Sequence, residues 1–190
     1  MNSPHTSGAQ APTIRLLAVA IAAMAALVLL IGPAKALAGS GGVGIDPPAS
    51  GNDANCRGKA RLLSNGKAVA PACAPQRVQR AIKAANKISN TKYVWGGGHG
   101  SFESKGYDCS GSVSYMLHGA GVLNTPLDSG SLARWGKKRA GDWITIYANS
   151  GHVYAVVAGL RWDTSGGPGP RWHTDMRSSA GFTVRHPKGL

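Results

Sequence analysis

Residues 93–121 read YVWGGGHGSFESKGYDCSGSVSYMLHGAG, and the change of character partway along this stretch decides the fold. Its first half, 93–107, is dense in glycine and predicts a loop. Asp108 then opens a helical pattern. Val113, Met116, Leu117 and Ala120 recur on one face, and Gly119 and Gly121 close it. Asp is a good N-cap, which puts Cys109 in the first turn of the predicted helix. Unpaired N–H groups and the helix dipole favour an anion there, so the site suits a thiolate. Cys109 lies four residues before Val113 and therefore points toward the packed side, at the edge of a cleft.

Upstream, Pro75 opens a second amphipathic pattern over 75–89. Val78, Ile82, Ala85 and Ile88 share a face, Arg77, Arg80 and Lys83 occupy the others, and Asn90 ends it. Downstream, a short helical stretch is predicted over 129–135, and then the period changes. Residues 143–147 and 152–158 are β-rich, 160–164 reads as the return arm of a hairpin around Ala158-Gly159, and 164–170 is a loop. Trp172 and residues 182–185 supply a last strand. Helices first and strands second predict an α+β fold, with helices packed on a small antiparallel sheet.

Composition narrows the function. The chain has 190 residues with 43% hydrophobic content, enough for one ordinary globular domain. Its one long apolar run, 16–32, follows Arg15 and precedes the small-residue site Ala36-Leu37-Ala38. This predicts a signal peptide over 1–38, or a membrane anchor if uncleaved, and a secreted, extracytoplasmic protein. Residues 39–74 read as a flexible Gly/Pro/Ser-rich linker followed by a disulfide-pinned segment, and 75–190 as the main folded domain. The formal charge is +13, and cleavage would remove Arg15 and Lys35 and no acid. Such a charge suits an anionic polymer. The basic residues are scattered and match no nucleic-acid module, so no nucleic acid is expected as partner.

Three cysteines in an exported chain leave one unpaired. Cys56 and Cys73 flank a polar segment with little core, and a bridge between them would staple it, worth about 3 kcal/mol for a loop of this size. Cys109 is then the odd thiol and a candidate nucleophile, which needs a base. His152 is the best placed of six histidines, because it begins the apolar run HVYAVVAG, where a polar ring needs a specific partner. His99 sits in the glycine loop and can line a cleft. His118 lies near a helix end. His173 and His186 lie in polar, loop-like surroundings. No HExxH or similar ligand spacing occurs, so neither a metal nor a cofactor is expected.

The segments Tyr93-Val-Trp-Gly-Gly, Gly106-Tyr-Asp-Cys109-Ser-Gly, Gly141-Asp142 and His152-Val together resemble the NlpC-type cell-wall cysteine peptidases, compact papain-like enzymes. The resemblance spans roughly residues 75–165. It implies Cys109 as nucleophile, His152 as base and Tyr93 as a cleft residue that positions substrate, with the motif's Asp108 and Ser110 also lining the substrate site. The family's third polar residue is best matched by Asp163. A two-residue turn at Ala158-Gly159 would pair Val157 with Leu160 and Val156 with Arg161, which brings Asp163 onto the face of His152. His173 is the alternative. The resemblance implies hydrolysis of amide bonds in peptidoglycan stem peptides, at the bond between D-γ-glutamyl and a diamino acid. A monomer is expected, with membrane contact only through an uncleaved N-terminus. Papain-like acyl transfer or amidase action, and a non-catalytic wall-binding module, stand as alternatives.

Overall fold

Helix α1 (Gln76–Ile88) forms where the sequence pattern places it and buries Val78, Ala81, Ile82, Ala85 and Ile88. Burying side chains of the Val and Ile class contributes about 1.5–3 kcal/mol each. In this computed structural model residues 58–190 are described. The expected signal segment, the 39–55 linker and Cys56 lie outside them, as does one end of the expected Cys56–Cys73 bridge. Among the described residues no helix is long and apolar enough to cross a membrane.

Helix α2 (Cys109–Gly119) is buried on every side from Cys109 to Leu117, not only along the Val113–Met116–Leu117 face. Its sequence lacks charged residues over that span, and this is the signal for burial all round. The serines on its other faces are satisfied locally. Ser112 Oγ donates to Cys109 O at 2.9 Å, and Ser114 Oγ both accepts from Leu127 N at 3.0 Å and donates to Leu127 O at 3.1 Å. On one side α2 meets α1 so closely that a Cβ on Gly119 would lie 2.2 Å from Ala84 Cβ. On the other it packs on a sheet. Helix α3 is shorter than expected. It spans Ser129–Leu132 only, capped by Asp128, whose side chain accepts from Ser131 N.

Strands β1 (Arg61–Leu62) and β2 (Ala68–Val69) form a small hairpin ahead of α1. The sequence reading assigned no structure to this segment, although Asn65-Gly66 is a turn signal, and Gly66 does adopt a positive φ of 76°. Asn86 of α1 holds the hairpin with two bonds, to Ala68 N and Ala68 O, and Ala60 and Ala68 join the core. The expected domain start at 75 therefore falls inside the folded unit.

The main sheet contains β3 (Lys137–Lys138), β4 (Ile144–Ala148), β5 (Val153–Val157), β6 (Leu160–Asp163), β7 (Arg171–His173) and β8 (Thr183–His186). Its spatial order is β3-β8-β4-β5-β6-β7, antiparallel throughout. Trp172 and residues 182–185 thus belong to two separate strands, one at an edge and one beside β4. The β5–β6 turn has positive φ at both Ala158 (46°) and Gly159 (84°), and Val157 pairs with Leu160, Val156 with Arg161 and Ala155 with Trp162. α2 lies against β5 and β6, and Trp162 Nε1 donates to Ser112 O at 3.3 Å across that contact. The α+β arrangement, helices on an antiparallel sheet, is the expected one, and it brings the start of α2 to the end of the sheet where β5 begins.

Candidate active site

Cys109 is the first residue of α2 and a free, buried thiol with 9% exposure. Its place is fixed by the residue before it. The Asp108 carboxylate caps the helix by accepting from Gly111 N at 2.8 Å, and it also accepts from Gly96 N at 3.0 Å. The first bond holds the helix start and the second ties the glycine loop to it. The loop backbone then lies directly on the helix. A Cβ at Gly111 would sit 2.0 Å from Gly97 O, and one at Gly98 would sit 2.8 Å from Tyr107 and 2.9 Å from Gly111 Cα. Glycine is required at both places for this approach.

His99 completes the arrangement. Its Nε2 lies 2.9 Å from Asp108 Oδ2 and 2.8 Å from Ser110 Oγ. Asp108 and Ser110, expected to line the substrate site, are only 4% and 3% exposed and spend their polar atoms on the helix start and on His99. The structure gives both a supporting place. Tyr93 stays half-open at 40% exposure. Partial burial first, and then the charge of Cys109 and of Asp108, push its phenol pKa up, so the hydroxyl is in electrostatic reach of the thiol.

His152 stands just before β5, its backbone N–H donating to Asn149 Oδ1 at 2.8 Å. Its Nε2 lies 2.9 Å from Asp163 Oδ1. The pKa of the ring is raised to about 9, first by the hydrogen bond to Asp163 and then by a hydrogen bond to Cys109, against the opposing effect of burial. With Nε2 engaged by Asp163, the other ring nitrogen is the one left for the thiol. One imidazole thus bonds Asp163 on β6 and lies in electrostatic reach of Cys109 on α2.

Asp163 is fully buried as a side chain. Burial alone would raise its pKa. Hydrogen bonds from His152 and Ser165 N–H, the charge of His152 and a hydrogen bond from Arg177 overcome this and hold the carboxyl well below the usual carboxylate range. Oδ1 takes His152 and Ser165 N (3.0 Å), and Oδ2 takes Arg161 Nη1 (2.6 Å) and Arg177 Nη1 (3.1 Å). Sequence reasoning missed both arginines. Arg161 had a signal, because it precedes Asp163 by two on one strand and so shares its face. Arg177 had none, since it reaches Asp163 from a loop.

His173 does not take the third position. It stands on β7, its Nδ1 lies 3.8 Å from Asp175 Oδ1, and its buried Nε2 has no hydrogen-bond partner. Burial, and then the charge of Arg161, lower its pKa. Among the described residues no group of three His, Cys, Asp or Glu side chains is arranged to hold a metal ion.

No protein-family model matches the chain, and no curated protein matches it. Several solved structures are similar to it. The peptidoglycan hydrolase RipB of Mycobacterium tuberculosis is 27% identical, with a TM-score of 0.48, and the match covers 58% of this chain and 64% of that one, under two thirds of its length. The P60 domain of an antigen from M. avium paratuberculosis is 22% identical with a TM-score of 0.46, covering 58% and 93% of the two chains. RipD of M. tuberculosis, described as a non-catalytic NlpC/p60 domain protein adapted to peptidoglycan binding, is 18% identical with a TM-score of 0.46, covering 60% and 98%.

Proposed function

We propose that the protein is an exported cysteine endopeptidase that hydrolyses amide bonds in peptidoglycan stem peptides. The observation that carries this reading is the single imidazole, His152, bonded to the buried Asp163 at 2.9 Å and near enough to the free thiol of Cys109 for that group to raise its pKa. The motif resemblance supplies the substrate class and the bond, D-γ-glutamyl to diamino acid.

The Cys109 thiol proton passes to the ring nitrogen of His152 not held by Asp163, and a pKa of about 9 keeps the ring protonated at neutral pH. The thiolate attacks the amide carbonyl carbon. The tetrahedral oxyanion is stabilised by the Cys109 N–H, a first-turn amide outside the helix ladder. His152 then gives its proton to the departing amine, which leaves a thioester on Cys109. Water, deprotonated by His152, attacks the thioester, releasing a carboxylate and restoring the thiol. Asp163 orients the ring and balances its charge throughout. Tyr93, at the open side near the thiol, positions the substrate.

Digestion of purified peptidoglycan by the mature protein, with mass spectrometry of the new termini, tests the reading. Free amine on the diamino acid and free carboxylate on the glutamyl residue are expected, and neither should appear with Cys109→Ala. New termini in the Cys109→Ala digest would remove the thiol mechanism. A new amide or ester in place of the free carboxylate would make the protein a transferase.

A further inference from the structure

The loop between β7 and β8, residues 174–182, sends three side chains to the His152–Asp163 pair. Asp175 accepts Arg161 Nη2 at 2.9 Å through Oδ2 and Arg161 Nε at 3.0 Å through its backbone oxygen, which aims Arg161 at Asp163. Arg177 Nη1 donates to Asp163 Oδ2 at 3.1 Å and to Ser165 Oγ at 2.9 Å, and Ser165 Oγ is itself 3.3 Å from His152 Nε2. The Arg177 guanidinium stands over Tyr154 and Phe182, 5.3 and 5.4 Å from their ring centroids, and Phe182 presents its edge to His152. Arg161 is nearly buried, with 7% side-chain exposure, while Arg177 keeps 33%. A guanidinium whose Nη1 meets two oxygens and whose plane lies by two rings is a directed contact.

We propose that Arg177 is a positioning residue for the proposed reaction: from the 174–182 loop it fixes the second oxygen of Asp163 and the hydroxyl of Ser165, and so aligns the carboxylate with His152. This rests on the peptidase reading above, but its physical core is the alignment of one histidine. Arg161 anchors the carboxylate from within, and Arg177 sets its rotation from the outside. The charged and titratable groups around His152 are Cys109 at the start of α2, Tyr154 on β5 with Tyr147 of β4 stacked on it, Arg161 and Asp163 on β6, His173 on β7, and Asp175 and Arg177 on the loop. Removing Arg177 deletes a cation from this set and leaves Asp163 a stronger partner for the imidazolium.

The test compares Arg177→Met and Arg177→Lys. In a Cys109→Ala background, which leaves the ring without its thiol neighbour, the His152 resonance is followed by NMR against pH. Arg177→Met should move its midpoint upward by about half a unit to one unit, and Arg177→Lys, which keeps the charge, should return it to within about 0.2. With Cys109 intact, Arg177→Met should lower kcat on peptidoglycan about tenfold with KM within twofold, and Arg177→Lys should recover part of it. An unmoved midpoint in Arg177→Met, even with a lower melting temperature, overturns the proposal, because a merely structural contact would leave the titration in place. A raised KM with unchanged kcat also overturns it, by putting Arg177 on the substrate. If the unsubstituted enzyme digests no peptidoglycan, the peptidase reading fails on its own, and the titration still decides for or against Arg177.

Discussion

Asp163 gathers more positive charge than one carboxylate neutralises. His152, Arg161 and Arg177 all bond to it, and Asp175 offsets only part of this from the far side of Arg161. Deleting it to alanine would strand a buried guanidinium, a loss of about 3–5 kcal/mol that would confuse misfolding with misalignment. Asp163→Asn keeps the shape and removes the charge. It should reduce turnover by about 10³–10⁴-fold with the circular dichroism spectrum unchanged, as for other triads. Near-normal turnover would take Asp163 out of the mechanism. The pH response follows from His152. Its pKa is raised on folding, so its contribution to stability is complete below the ordinary value of 6.5 and is lost as pH rises through about 9. Turnover that depends on the imidazolium should fall over the same alkaline range, and a rate still climbing past pH 10 would contradict a protonated working ring.

At the scale of elements, the join between the glycine loop and α2 places the thiol. Gly111→Ala should push the loop off the helix start, because its new methyl would meet Gly97 O at 2.0 Å. Overpacking of this kind costs about 1–3 kcal/mol. Thermal melting should show a drop of several degrees, and alkylation of Cys109 should slow. Unaltered melting would mean that the loop yields more freely than its contacts suggest. This join also marks where the sequence was legible. Asp108 before an apolar period announced a capped helix, and Ala158-Gly159 between two apolar runs announced a hairpin and its register, because both signals are local. The hairpin β1–β2 was not read, since two-residue strands carry no period. Arg177 and Asp175 were not read either, since a loop that folds back over another strand leaves no spacing to recognise. His99 was noted as a cleft residue, but its bond to Asp108 came only with the loop's path.

For the whole molecule, the charge of +13, which falls to +11 if Arg15 and Lys35 leave with the N-terminal segment, suits the anionic polymer that the proposed function names. Binding of the Cys109→Ala protein to purified wall should weaken steeply between about 0.05 and 0.5 M salt, as the screening length contracts to a few ångströms. Equal binding at both ends of that range would assign the affinity to shape instead. The N-terminal hairpin is held to α1 largely by Lys67 and Asn86, and the expected staple joins residues on either side of it in sequence. Peptide mapping without reduction should find Cys56 joined to Cys73, and reduction should lower the melting temperature while sparing activity in the cold. A mixed linkage involving Cys109 in active protein would refute that pairing.

The two-residue turn at Ala158-Gly159 acts as a parity bit. Side chains alternate along β6, so the number of residues in that turn, odd or even, determines whether Asp163 faces His152 or faces away. One inserted glycine there would leave Cys109 and His152 untouched and the hairpin still closed, yet it would disconnect the carboxylate from the ring. A single codon gained in a surface turn can therefore unhook the carboxylate from the ring while the Cys109 and His152 motifs stay as they are.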